Sequence, residues 1–314
     1  MKYSIGVDIG GMSIKVGLVD LSGKIIDQNK QDTAKDSNTC ISNLANQIKN
    51  LLNKNKISID EVKGIGIGCP GSVNNQTGVV NILPNLGWKD VPLVRMLKKY
   101  FNIRVELSND ASVATLAEAK HGCAKGYKNC IMFTLGTGVG GGMIIEGKIY
   151  DGGFGHGGEL GHITLDYKGE RCTCGRNGCI ETFVSATALI KQTKVAMQND
   201  KNSMMWLDVE NDINNVTGKT AFECAKKGDK TAQGVVDKYV TYLGESILNM
   251  LNIFRPDVFI IGGGISHQGK YLTDKLTSYC EKFDYGYKYA PKTKILTAKL
   301  GNDAGIIGAA SLID

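Results

Sequence analysis

One pattern, present twice, constrains this chain more than any other feature. Residues 3–20, "YSIGVDIGGMSIKVGLVD", read as an apolar strand, a glycine pair and an alternating second strand. Residues 130–150, "CIMFTLGTGVGGGMIIEGKIY", repeat the layout: a strand, a glycine-rich turn, a returning strand and a short third one. Strand periodicity around a glycine turn is the mark of a hairpin. Two copies in one chain point to an internal duplication. The expectation is two α/β lobes, each opening on a glycine-turn hairpin, that face each other across a cleft. Glycine usage agrees: 40 Gly against 5 Pro, without a repeating triplet, implies many tight turns rather than collagen or disorder.

The remaining elements fit this frame. "GKIIDQNK" extends the first hairpin as a third strand. In "CISNLANQIKNLLNKNK", Ile41, Leu44, Ile48 and Leu51 recur at helical spacing and predict an amphipathic helix. "VKGIGIGCPG" reads as a buried strand that ends in a turn. The region 185–230 reads as mostly helical and polar. "TAQGVVDKYVTYLGESILNMLNIFRP" is a long helix that stops before Pro256. "DVFIIGGGIS" is a strand running into three glycines, "GKYLTDKLTSYCEKF" a helix, and "DAGIIGAASLI" a small-residue helix suited to close packing. The boundary is expected near residue 110: a smaller lobe over 1–110, to which a last helix at 302–314 returns, and a larger one over 111–301.

Three glycine turns, "DIGGMS", "LGTGVGGG" and "IIGGGIS", each follow an apolar strand. Without a Cβ in the way, backbone N–H groups can approach an anion and form a phosphate nest. One such turn is more often a plain hairpin; three in a duplicated fold favour a nucleotide. Two motif matches fail on context. "GISHQGKY" has Tyr271 where a P-loop needs Ser or Thr for Mg²⁺. "GIGCPG" is followed by a turn and a strand, not by the helix whose N-terminus would take a pyrophosphate.

Charge and cysteine usage narrow the class. A formal net charge of +6 is spread over scattered lysines, which suits an anionic ligand but supplies no nucleic-acid arm. No stretch has the apolar length of a signal peptide or a membrane span, so no membrane partner is expected and the cytoplasm is the expected compartment. Thiols stay reduced there, and clustered cysteines read as metal ligands or catalytic groups. Cys40, Cys69, Cys123, Cys130, Cys224 and Cys280 are dispersed and read as small core hydrophobes. His162, Cys172, Cys174 and Cys179 are different. They offer one imidazole and three thiolates, a set suited to tetrahedral zinc. The C-x-C spacing is tighter than the usual C-x₂₋₄-C, so reduced free thiols remain the alternative reading. Asp110 in "SNDASVATLAE" is either a helix N-cap or a carboxylate that accepts a proton.

In order along the chain, "GVDIGGMSIKVGLVD", "GIGIGCPGSV", "ILPNLGW", "SNDASVATLAE", "LGTGVGGG", "GELGHI", "CTCGRNGCIE" and "IIGGGIS" resemble the motifs of the repressor–open-reading-frame–kinase (ROK) family. The resemblance spans essentially the whole chain and is strongest to bacterial glucokinases. It implies an actin–hexokinase-like (ribonuclease H-like) α/β fold with duplicated mixed sheets. It also implies ATP-dependent transfer of phosphate to the 6-hydroxyl of glucose. By resemblance Asp110 is the catalytic base and Asn109 holds sugar hydroxyls. Gly71, Asn85, Glu159, His162 and Glu181 complete the sugar pocket. Asp8 holds Mg²⁺ through water near the ATP phosphates, beside Gly10, Gly11, Met12 and Lys15. Gly136, Thr137 and Gly138 form the second phosphate turn, and Gly262, Gly263 and Gly264 lie near the adenosine. His162, Cys172, Cys174 and Cys179 bind a structural Zn²⁺ that pins the sugar-reading loop 162–181.

The sequence departs from the family pattern at two points. Met12 stands where relatives carry a Thr, which puts phosphate affinity or donor choice in question. Ser112 replaces a common Asn, and two positions past the base little effect is expected. The resemblance further implies a homodimer. Other hexoses (N-acetylmannosamine, N-acetylglucosamine, fructose or allose) remain alternatives. A sugar-responsive repressor is disfavoured, because a phosphate hairpin that starts at residue 4 leaves no room for a helix-turn-helix. An actin-like filament ATPase would have no use for the sugar and zinc residues.

Overall fold

A computed structural model describes residues 1–286 and 288–313. The chain divides into two compact units. The first comprises Met1–Asn129, Gly142–Gly158 and Lys299–Asp314; the second comprises Cys130–Gly141 and Glu159–Ala298.

In the first unit β1 (Tyr3–Ile9), β2 (Ser13–Asp20) and β3 (Ile25–Asp32) form the expected antiparallel meander. Next comes α1 (Ser37–Lys54), capped by the Asp36 side chain on Thr39 N. Its face of Cys40, Ile41, Leu44, Ile48 and Leu51 is buried, as the spacing predicts. Each such aliphatic side chain contributes roughly 1.5–3 kcal/mol by leaving water. β4 (Val62–Cys69) pairs in parallel with β1, giving the sheet order β3-β2-β1-β4-β8 once β8 (Arg104–Asn109) is added. Between β4 and β8 lie a small antiparallel sheet of β5 (Ser72–Asn74), β6 (Val79–Leu83) and β7 (Trp88–Val91), and the short α2 (Leu93–Leu97). α3 (Asp110–His121) follows β8 directly.

The second unit opens on β9 (Cys130–Leu135). β10 (Val139–Ile145) then carries the chain back into the first unit, where the short β11 (Lys148–Ile149) lies. A helical stretch follows: α4 (Glu181–Val184), α5 (Ala186–Asn199), α6 (Met205–Asp208), α7 (Thr220–Lys226) and the long α8 (Lys230–Phe254). α8 ends on Arg255 in the left-handed region at φ 42°, one residue before Pro256. β12 (Val258–Gly262), α9 (Lys270–Phe283) and β13 (Lys294–Thr297) complete the unit, with β9, β12 and β13 parallel neighbours. Tyr239 of α8 is fully buried and donates its hydroxyl to the Val184 carbonyl at 2.7 Å. No helix among the described residues is long and apolar enough to cross a membrane.

The boundary expected near residue 110 lies elsewhere: α3 and Gly142–Gly158 belong to the first unit. The reason is the packing of the last helix, α10 (Ala304–Ala310). A side chain at Gly308 would collide with the Val113 carbonyl of α3, and one at Gly6 or Gly66 with carbonyls of α10 itself. Glycine therefore lets α10 lie directly on β1, β4 and α3. Glu118 of α3 is fully buried and accepts backbone N–H groups from Cys123, Lys299 and Leu300 at 2.7–2.8 Å, which binds α3 to the returning chain. Of the six dispersed cysteines, five are buried and Cys123 is half-buried. Burial pushes the Cys40 thiol up to about 11 and that of Cys130 to about 12, as befits inert core groups.

Candidate active site

Adjacent parallel strands end together in the first unit. Asp8 stands opposite Gly68 across β1 and β4, and Cys69 opposite Asn109 across β4 and β8. Carboxyl ends of parallel strands are where α/β sheets place ligands. Both carboxylates lie near Cys69: burial raises its thiol pKa most, followed by the charge of Asp110, with Asp8 a smaller cause.

Asn109, not Asp110, caps α3. Its Oδ1 accepts from Ala111 N at 2.9 Å and Ser112 N at 3.3 Å, while its Nδ2 donates to the Gly71 carbonyl at 3.2 Å. Asp110 is thus the first residue of the helix, with its Oδ1 2.9 Å from Ala111 N. Asn109 thus accounts for the helix start as its cap, and Asp110 is not needed in that role. Gly71 sits at φ 81°, where a side chain would strike the Ile82 carbonyl, so the turn that Asn109 grips is specific to glycine.

The glycine turn between β1 and β2 is closed by Gly10 N on Ser13 O at 2.9 Å and braced by Thr33, whose Oγ1 donates to Gly10 O at 2.7 Å. Lys15 reaches Asp8 at 3.3 Å and the Asn302 carbonyl at 3.4 Å. Met12 is 88% exposed. A Cβ on Gly11 would lie 3.5 Å from the Asn85 side chain, so Asn85 and the first glycine turn are neighbours.

In the second unit Glu159 immediately precedes a 3₁₀ turn, Leu160–His162, with His162 N on Glu159 O at 3.1 Å. The loop after it folds back through bridges between Thr164 and Cys179 and between Arg171 and Asn177. This gathers His162, Cys172, Cys174 and Cys179 with their ligand atoms all within 4.8 Å of one another. Cys174 and Cys179 sulfurs are 3.6 Å apart, and His162 Nδ1 is 3.5 Å from Cys172 Sγ. Tetrahedral zinc with Zn–S bonds of about 2.3 Å needs sulfurs roughly 3.8 Å apart, so the donor set fits zinc. Burial, with the Cys174 and Cys172 sulfurs close by, pushes the Cys179 thiol pKa up, a cost that a bound cation would offset by holding the thiolate.

Glu181 links this loop to the second glycine turn. Its Oε2 accepts from Val139 N at 3.0 Å, and its Oε1 lies 3.4 Å from Thr173 Oγ1 and 3.6 Å from Cys172 Sγ. The Gly136 carbonyl accepts from Ala186 N at 2.8 Å, and that of Thr137 from Thr187 Oγ1 at 2.8 Å. A side chain at Gly138 would push on the Glu181 carboxylate, the movable end of that side chain. Gly262 and Gly263 also have packing reasons: a Cβ at either would collide with β9, at Met132 or the Leu135 backbone. Gly264 faces open space.

Two buried groups escaped sequence reasoning. Asp151 is 9% exposed and is hydrogen-bonded by Ser112 Oγ at 3.1 Å and Asn75 Nδ2 at 2.8 Å. Ser112, from which little was expected, is itself buried. The other group is Glu118. Nothing in the local pattern "KIYDGG" marks an acid for burial. In α3 a Glu among alanines was the available signal, since an acid on an apolar helical face needs a partner.

The fold is the duplicated mixed-sheet α/β architecture of the actin–hexokinase class. The sequence model of the ROK family matches residues 4–314, and the chain belongs to that family. It is 35% identical to the glucokinase of Halalkalibacterium halodurans, over 99% of this chain and 95% of that protein. It is 34% identical to the glucokinase of Thermotoga maritima, over 98% and 96% respectively. The crystal structure of a ROK family glucokinase from Streptomyces griseus with glucose and AMPPNP superposes at a TM-score of 0.81. Identity there is 30%, with 99% of this chain and 98% of that one covered.

Proposed function

We propose that this chain is a glucokinase, transferring the γ-phosphate of ATP to the 6-hydroxyl of glucose. The observation that carries the reading is the start of α3. Asn109 caps the helix and holds the Gly71 turn, so Asp110 opens the helix without being its cap and stands next to the residue proposed to meet sugar hydroxyls. Full-length similarity to glucokinases supports the same choice of substrate.

Phosphoryl transfer asks the protein chiefly to position reactants and to stabilise charge. Asp110 accepts the proton of the 6-hydroxyl as that oxygen attacks the γ-phosphate, and the proton stays on its carboxyl until product leaves. Asn109, Asn85, Glu159, His162 and Glu181 bind the remaining hydroxyls, aided by the Gly71 backbone. Each supplies a polar group that a sugar lacking its partner hydroxyl would leave unpaired. The turns at Gly10–Met12 and Gly136–Gly138 receive the phosphates, Lys15 screens them, and Gly262–Gly264 approach the adenosine. Mg²⁺, when bound near Asp8, neutralises charge on the phosphate oxygens. Zn²⁺ on His162, Cys172, Cys174 and Cys179 is structural and keeps the sugar-reading loop in place. The working form is a homodimer in the cytoplasm, where thiolates stay reduced.

A coupled assay with ATP across glucose, fructose, allose, N-acetylglucosamine and N-acetylmannosamine tests this. Glucose is expected to give the highest kcat/KM; a tenfold preference for another sugar would replace the substrate. Asp110→Asn is expected to lower kcat by about 10²–10⁴-fold, the range of a general base. Near-normal turnover in that variant would remove Asp110 from its role.

A further inference from the structure

We propose that Asp151 is a positioning residue for the sugar: its carboxylate ties the first turn of α3, which presents Asp110, to the β5–β6 hairpin and to the loop that runs into Glu159. This rests on the glucokinase reading and deepens it.

Three segments of the first unit converge on this carboxylate. Ser112, on the same helical turn as Asp110, donates to Oδ1 at 3.1 Å. Asn75, in the turn between β5 and β6, donates to Oδ2 at 2.8 Å. That hairpin starts one residue after Gly71, whose carbonyl Asn109 grips. Asp151 itself begins the glycine-rich segment 151–158. The Asp151 carbonyl accepts from Gly157 N at 2.7 Å, and Gly155 lies against Asn75 Oδ1, so the segment folds back over the same hairpin. The next residue in the chain is Glu159.

A buried carboxylate is a costly way to fill space, since apolar residues of similar volume usually serve stability as well or better. Burial raises the Asp151 pKa, and the Ser112 and Asn75 hydrogen bonds work against that rise. Ionised, one carboxylate accepts from two segments at once; no single apolar or hydroxyl group does so. The side chain is therefore placed to hold in one register three segments that carry or adjoin residues proposed for the sugar. Misplacement of a reacting group by an ångström can cost on the order of 10²-fold in rate.

The test is steady-state kinetics with glucose and ATP on the full chain, with thermal melting of each variant. Asp151→Ala is expected to raise the glucose KM by about tenfold and lower kcat by a similar factor, with the ATP KM held within about twofold. Ser112→Ala should raise the glucose KM by about threefold, and the Ser112→Ala/Asp151→Ala double variant should be no worse than Asp151→Ala. Asp151→Asn keeps an acceptor and should recover part of the loss. If Asp151→Ala yields no folded protein, Ser112→Ala and Asp151→Asn carry the test with the same expectation for glucose KM. A lowered melting temperature with all kinetic constants within twofold of the parent overturns the proposal. So does an equal rise in both KM values, which would mark general damage. A parent chain that phosphorylates no hexose overturns the kinase reading instead, before any variant is compared.

Discussion

The two glycine hairpins share a layout but are wired differently. The first turn, between β1 and β2, is secured by its own strand and by Thr33. Around it stand charges: Asp8 at the strand end, with Lys15 3.3 Å away. The second turn, between β9 and β10, carries Thr134 where the first has Asp8, and its backbone is tied to other elements. Glu181 takes the Val139 N–H, and the start of α5 takes the Gly136 and Thr137 oxygens. Duplication supplied one frame twice. One copy kept a charged turn with an exposed Met12, while the other became joined through Glu181 to the loop that carries the Cys/His cluster. The second hairpin is thus expected to couple phosphate and sugar through the Glu181 hydrogen bonds, and the first, which meets Asn85 only by packing, to act more on phosphate.

Substitutions can break or sharpen that contrast. The largest effect is expected at Asp8. Asp8→Asn should lower kcat/KM for ATP by about 10²–10³-fold and leave the glucose KM nearly unchanged, because it removes the charge proposed to hold Mg²⁺. An equal loss toward glucose would erase the distinction between the turns.

Next is the loop proposed to hold zinc. Cys179→Ser should abolish bound zinc in elemental analysis, lower the melting temperature by several degrees and raise the glucose KM by about tenfold or more. Purified parent protein without zinc would refute the metal assignment directly. Glu181→Ala should raise the KM for both glucose and ATP, each by about fivefold to tenfold, because one carboxylate serves the loop and the turn. A change confined to glucose would show that its bond to Val139 N carries no coupling. The smallest effect belongs to Met12. Met12→Thr adds a hydroxyl to an exposed turn and should lower the ATP KM by about twofold to fivefold. If ATP binding is unaltered, comparing ATP with polyphosphate decides whether the turn is adapted to another donor.

Much of this was open to reading along the chain. The α1 face, the paired hairpins and the Cys₃His set depend on spacing, and spacing survives without tertiary context. The dispersed cysteines were legible for a similar reason: isolated thiols in apolar strands and helices belong in a core. Asp151 was not legible, because its partners sit 39 and 76 positions away in the sequence. The unit boundary was misplaced for the same reason. Whether α3 belongs with the first sheet depends on Glu118 reaching Lys299 and Leu300, contacts made only after the chain returns.

Sequence alone therefore determined the main helices and hairpins and the four candidate zinc ligands, which follow from local periodicity or short spacing, while the residues expected to meet a sugar and a nucleotide came from the family resemblance. The tertiary structure decided which residue caps α3 and which acid is buried behind it. It also decided that Glu181 joins the metal loop to a glycine turn. These are outcomes of packing between distant segments, where an unpartnered polar group is costly and a neighbour must be found, and no local pattern records which neighbour that is.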